Sequence, residues 1–170
     1  MGSVEWYRHF LTNPSVMQIE VMESFPKQTY RNRCTITTPD GVLTLSVPVK
    51  RADSKQLTRD VEISYQQRWQ HQHWIAITSA YKRMPYFDYY ADFFRPFYET
   101  ETKFLVDLNE KIHEVIVRLM TNQKPDSKNQ ESRLITTTYW QGLDLESCFG
   151  NGQSILDMLF EYGPETIIKL

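Results

Sequence analysis

An α+β fold, with helices packed mainly on one face of a small mixed or antiparallel sheet, is predicted by the order of two hydrophobic periods along the chain. Residues 27–50, KQTYRNRCTITTPDGVLTLSVPVK, alternate with period two on both sides of a Pro-Asp-Gly turn and read as a β-hairpin over 30–49. From Trp69 onward the period becomes helical, and helices are expected over 69–81, 85–97 and 101–120. A last helix, 154–162, opens on a capping-box pattern, Ser154-Ile155-Leu156-Asp157, and is closed by Gly163-Pro164.

A length of 170 residues suits one domain, 1–170, with a sizeable core. The net charge of −2 argues against a polyanion-binding surface or an acidic disordered tail. Two cysteines, Cys34 and Cys148, form neither a disulfide framework nor a CxxC pair, which points to a reducing, cytoplasmic setting. No apolar run reaches the roughly 18 residues of a membrane span, and no signal-peptide pattern opens the chain. Walker, GxGxxG, GxSxG and HExxH motifs are absent, and the basic residues lack a nucleic-acid-binding pattern. The expected partner is therefore a small molecule, without nucleic acid and without a cofactor; a homo-oligomer stays open.

The elements follow in order. Val4, Tyr7 and Leu11 have helical spacing over 4–11, which Asn13-Pro14 stops. Residues 16–22 alternate as a strand, and 23–26 connect it to the hairpin. Residues 50–60 are polar and aperiodic and read as a loop, followed by a short strand, 61–63, with Val61 and Ile63 on one face. In 69–81, Trp69, His73, Ile77 and Ala80 fall on one side of a helix. Pro85 suits the first position of the next helix, where Tyr86, Tyr89, Tyr90, Phe93, Phe94 and Phe97 form an aromatic stripe that Pro96 kinks or ends. In 101–120, Phe104, Leu108, Ile112, Val115 and Leu119 make the clearest apolar stripe of the chain. Residues 121–133 and 142–152 read as loops around a strand, 134–140.

Within the hairpin, Asp40-Gly41 suits the two central positions of a type I′ turn. Pro39 would then face Val42, Ile36 would face Leu45, Cys34 would face Val47, and Asn32 would face Val49. Ile36, Cys34, Leu43, Leu45, Val47 and Val49 share one face; Arg31, Arg33, Thr35, Thr37, Thr44 and Ser46 share the other. Arg31 and Arg33 thus point the same way off the polar face, while Asn32 ends the apolar face with an amide that needs partners.

Several spaced motifs carry a family resemblance. YRNR at 30–33, VPV at 47–49 and DVEIS at 60–64 are among them, as are Trp69, His73-Trp74, Ile77 and Ala80-Tyr81. So are PYF at 85–87, FLVDLN at 104–109 and SILDMLFEYGPE at 154–165. Together they resemble the WbqC-like family over nearly the whole chain. Members usually begin with a short strand and a proline-containing turn, and Met1-Gly2-Ser3 stands in their place, so that strand is expected to be missing here. The resemblance implies a role in bacterial surface-polysaccharide biosynthesis, with an aminoacyl (glycyl) transfer to a sugar as the suggested chemistry.

Arg31 and Arg33 are the sharpest candidates, because two guanidiniums can hold a carboxylate or phosphate; ion pairs with Glu20, Glu23 or Asp60 are the structural alternative. Asn32 is a candidate site amide or an edge-of-sheet hydrogen-bonder. His73, inside an apolar stripe, is a candidate general base if it titrates near neutrality, against the commoner role of a core histidine. Glu20 is a second candidate base or a partner for Arg33. Gln28, Tyr30, Tyr81 and Tyr86 are candidates to line a sugar-binding cleft, against a core role for the aromatics. His71 and His73 form no metal site, since His-x-His chelates from a strand and this segment is helical. Cys34 with His73 would make a thiol nucleophile and base, but the register buries Cys34 among apolar residues, where a thiol is inert. The first functional reading is a cytoplasmic transferase acting on an anionic or sugar-linked substrate. The second is a non-catalytic module that binds a polysaccharide precursor or a biosynthetic partner protein with the same basic mouth.

Overall fold

The computed structural model describes residues 2–12, 21–25, 31–50, 56–121 and 153–170. Seven helices surround one two-stranded antiparallel sheet among these residues, which makes the fold α+β. They are α1 (Val4–Thr12), α2 (Trp69–Tyr81), α3 (Phe87–Phe94), α4 (Pro96–Glu99), α5 (Leu105–Thr121), α6 (Ile155–Tyr162) and α7 (Thr166–Lys169). The strands are β1 (Arg33–Thr38) and β2 (Gly41–Ser46). The expected strands over 16–22 and 134–140 and the loops 121–133 and 142–152 lie wholly or mostly outside the described residues.

The hairpin register differs from the sequence expectation by two residues. Thr38 pairs with Gly41, so Pro39-Asp40 and not Asp40-Gly41 occupies the turn; Ile36 pairs with Leu43, and Cys34 with Leu45. Proline at the second turn position and glycine at the fourth are the preferences of a type I turn, for which the fixed φ of proline is suited. Gly41 takes φ 120°, a conformation open to glycine and strained for other residues. A shift of two keeps every side chain on its face, because the side-chain period is two. Ile36 and Leu45 accordingly stay buried, while Val42, Thr44 and Ser46 face outward.

The extended chain around the hairpin is held by single bridges. Val49 pairs with Ile63, Glu62 with Phe104, and Ser24 with Leu57. The short strand expected at 61–63 is present as these bridges, with Val61 and Ile63 buried as the alternation requires. Phe104 is consumed by its bridge, so α5 starts at Leu105 instead of residue 101. Within the segment expected as loop, Thr58–Asp60 form a 3-10 turn.

Helix α2 has the bounds its periodicity predicts and buries Trp69, His73, Ile77 and Tyr81, one column at spacing four. Helix α5 buries Leu105, Leu108, Ile112, Ile116 and Met120. Pro96 divides the expected helix 85–97 into α3 and α4, since proline removes the N–H donor that an unbroken helix would use there. The aromatic stripe is only partly core: Phe87, Ala91 and Phe94 face inward, whereas Tyr89 is 72% and Phe93 40% exposed. Seven aromatic side chains in twelve residues exceed what one helix face can bury.

Helix α6 sits at the centre. Ile155, Leu156, Met158, Leu159 and Phe160 are all buried, and Phe160 lies 5.0 Å from the Tyr81 ring and 5.2 Å from Phe87. Its start is the capping box expected from the sequence: Ser154 accepts from the Leu156 N–H, and Asp157 accepts from the Ser154 N–H at 2.9 Å. Asp157 also accepts from the Tyr81 hydroxyl (2.8 Å) and the Thr37 hydroxyl (3.1 Å), joining α6 to α2 and β1. The helix ends at Gly163, where φ is 56° and an added Cβ would fall 2.5 Å from the Tyr86 ring. No helix among the described residues is long and apolar enough to cross a membrane.

Candidate functional site

The base of the hairpin, the start of α2, α4 and one face of α5 line a small hollow of about 30 Å³. Arg31, Asn32, Arg33 and Cys34 line it from the start of β1, and Leu45 and Val47 from β2 and its exit. Trp69 and His73 project from α2, Phe97 and Tyr98 from α4, and Leu108, Asn109 and Ile112 from α5. Four residues singled out in the sequence, Arg31, Asn32, Arg33 and His73, therefore meet around one concavity.

Two asparagines set the shape of the rim. The Asn32 side-chain amide donates to the Val47 carbonyl at 3.0 Å, and its backbone carbonyl accepts from the Val47 N–H at 2.8 Å. Asn109 donates through Nδ2 to the Arg31 carbonyl at 2.8 Å, tying α5 to the segment that carries both arginines. Arg31 forms an ion pair with Glu23, one of the partners that the sequence offers. Arg33 has no ion pair among the described residues.

Three polar atoms on this cleft are buried and find no protein partner among the described residues: Arg33 Nε, Trp69 Nε1 and Asn32 Oδ1. A buried donor or acceptor left unmade costs roughly 1–3 kcal/mol. Each is a buried polar group that the described residues leave unsatisfied.

His73 stacks edge-on against Trp69 (5.1 Å between centroids) and Tyr98 (6.3 Å). Burial lowers its pKa from the usual 6.5 to about 4, and a hydrogen bond to the Ser46 backbone works the other way without restoring it. The condition set for a general base, titration near neutrality, is thus not met in the ligand-free protein. At pH 7 the ring is neutral, offers hydrogen bonding and is a weak base.

The other sequence candidates separate. Tyr81 is fully buried and spends its hydroxyl on Asp157; burial and the neighbouring carboxylate push its pKa far up, and it does not line the cleft. Its role is in the core and not at the sugar-binding surface expected for it, because the α2 column carries it three turns away from Trp69. Glu20, Gln28 and Tyr30 lie outside the described residues. His71 is exposed, and no group of three metal-ligating side chains occurs among the described residues. Sequence reasoning missed Asn109 and the indole N–H of Trp69. Asn109 stands beside Leu108 at the edge of the α5 apolar stripe, where a polar side chain needs a partner. Trp69 reads as core by periodicity, and only packing shows that its N–H finds no acceptor among the described residues.

Cys34 lines the cleft, but burial raises its thiol pKa. Alkylation with iodoacetamide at pH 8, followed by peptide mass mapping, is expected to label Cys34 at least about tenfold more slowly than a free thiol, and at the free-thiol rate in urea. Fast labelling in the folded state would reinstate Cys34 as a nucleophile.

The fold and the hollow define a class: an α+β protein with an aromatic-walled hollow at the base of its hairpin. A family model described as the WbqC-like protein family matches residues 17–138, and the chain belongs to that family. No curated protein and no solved structure matches it.

Proposed function

We propose that the protein is a cytoplasmic transferase of bacterial surface-polysaccharide biosynthesis that holds an anionic, sugar-linked substrate in the cleft at the hairpin base, with aminoacyl transfer to a sugar as its chemistry. The observation that supports this reading is the set of three polar atoms, Arg33 Nε, Trp69 Nε1 and Asn32 Oδ1, that find no partner among the described residues beside one aromatic-walled hollow. Arg33 supplies the charge, Asn32 and Trp69 orient, and Asn109 holds the Arg31 backbone in place. His73 accepts a hydrogen bond from the attacking amine or hydroxyl. A bound anion beside its ring favours the protonated form and raises its pKa from about 4 toward the range of a useful base. Without that rise the site binds and does not transfer; the low pKa in the free protein favours this second reading, a binding module for a polysaccharide precursor.

Thermal-shift measurements with nucleotide-sugars, acyl phosphates and free glycine test the site. A true ligand at 100 times its Kd adds about 2.7 kcal/mol of stability. Arg33→Gln is expected to abolish that gain while leaving the ligand-free protein as stable or more so, because it removes a buried, unsatisfied donor. A shift that survives Arg33→Gln, or the absence of any shift, would sink the proposed site. Binding that gives no transferred product on mass analysis would select the binding-module reading.

A further inference from the structure

The two edges of the hairpin are finished differently. Backbone bonds across an antiparallel pair alternate, so every second residue of a strand turns its N–H and C=O away from its partner. The Val47 N–H donates to the Asn32 carbonyl and sets that phase. In β2, Gly41, Leu43 and Leu45 turn toward β1, while Val42, Thr44 and Ser46 turn away. In β1, Arg33, Thr35 and Thr37 turn away, and that edge is tied to the body of the fold. The Thr37 hydroxyl donates to Asp157 at 3.1 Å, and its backbone N–H faces the same carboxylate.

The β2 edge is closed only at Ser46, where the His73 ring hydrogen-bonds the backbone. The outward N–H and C=O groups of Val42 and Thr44 have no partner among the described residues. Both residues are exposed, Val42 at 69%, and Leu43 between them is 41% exposed. A bare strand edge is a template for another strand, and proteins blunt such edges with charge, proline or a bulge. Gly41–Ser46, GVLTLS, carries no charge and no proline, and its pairing with β1 runs without a bulge.

This edge is complementary to itself. When two copies lie antiparallel about a two-fold axis at Leu43, Val42 faces Thr44 of the partner subunit, and Thr44 faces Val42 of the partner subunit. Each facing pair exchanges two bonds, so every outward group of both residues is satisfied. Leu43 meets its own counterpart in the closely spaced, non-hydrogen-bonded position, where side chains pack against each other. Charge agrees as well. The nearest charged residue along the chain, Asp40, falls opposite Ser46 of the partner subunit, so no like charges meet.

We infer that the open edge of β2 is a self-association surface, through which two copies join their hairpins into one four-stranded antiparallel sheet. The paired strand is six residues long. Such a contact falls short of the roughly 1,200–2,000 Å² that stable interfaces bury, so the dimer is weak, with a Kd between about 1 µM and 1 mM.

Sedimentation velocity of the full chain from about 5 µM to about 1 mM tests this. The mass is expected to rise from 20.2 kDa toward twice that value. Leu43→Lys and Leu43→Glu each set like charges face to face on the two-fold axis and should weaken the dimer about tenfold; mixing the two variants should restore it, since opposite charges then meet. Thr44→Pro removes the Thr44 N–H from the edge without touching the pairing inside the hairpin, and should weaken the dimer to a similar degree. Ile168→Lys, at an exposed site on α7, should leave the dimer intact. If a variant unfolds, hydrogen exchange of the wild type answers instead: the Val42 and Thr44 amides should become protected as concentration rises. A chain that stays monomeric at every concentration would overturn the inference, even if an unrelated extended peptide protects those amides. So would a dimer that Leu43→Lys leaves unchanged, a mixture of the Lys and Glu variants that does not associate, or Val42 and Thr44 amides that exchange equally fast in monomer and dimer.

Discussion

Asp157→Ala is expected to destabilise the protein by about 3 kcal/mol, measured by urea denaturation. The carboxylate is almost fully buried and accepts from the Tyr81 hydroxyl, the Thr37 hydroxyl and the Ser154 N–H. Alanine strands these three donors, and an unsatisfied buried donor costs roughly 1–3 kcal/mol each. Part of the loss is returned. Burial raises the Asp157 pKa against the hydrogen bonds that lower it, so the charged form is held at some cost. Tyr81→Phe removes one donor and is expected to lose about 1–2 kcal/mol. Because both substitutions break the same contact, the double variant should lose less than the sum of the two. Full additivity would show that the hydrogen bond between them does not couple α6 to α2.

Acid should destabilise the fold well above the range where carboxylates titrate. His73 and His113 are both lowered by burial from 6.5 to about 4. His113 sits among Trp6, Tyr7 and Phe10, with the Tyr7 hydroxyl 3.3 Å from its Nδ1. In the unfolded chain each ring protonates near 6.5, so between pH 6.5 and 4 the unfolded state binds more protons and stability rises with pH. The stabilisation is complete above about 6.5, falls as the pH drops toward 4 and levels off below it. Each histidine contributes up to about 3 kcal/mol, a large part of the 5–15 kcal/mol typical of a domain. Asp157, with its raised pKa, acts in the opposite direction and softens the fall. Urea midpoints at pH 7, 5.5 and 4 measure the slope, and His113→Phe is expected to remove about half of it. A stability flat from pH 7 to 4.5 would mean that neither ring is held neutral by burial.

How much of this was legible depended on how local each feature is. The bounds of α2 came directly from periodicity, because Trp69, His73 and Ile77 repeat at four and no proline or glycine interrupts them. The capping box at Ser154 was legible for the same reason: four consecutive residues specify it. The hairpin was legible in its faces and not in its register. Face assignment needs only parity, whereas register depends on whether Pro39 enters the turn, and both choices satisfy the alternation. The burial of α6 on all sides was not legible, since an apolar face and an apolar cylinder differ only in what packs around them.

The candidate site divides along the same line. Sequence alone determined that Arg31, Asn32 and Arg33 sit together at the mouth of a hairpin and that His73 lies on the inward column of α2, because each follows from neighbours a few residues away. Only the tertiary structure decided that strand and helix meet in one cleft with Asn109, that Glu23 takes up Arg31, and that Tyr81 is spent on Asp157. It also decided that His73 is neutral. Charge balance, desolvation and hydrogen-bond satisfaction depend on what is nearby in space, and the partners that settle them here are separated by 78 residues in Asn109–Arg31 and 76 in Tyr81–Asp157.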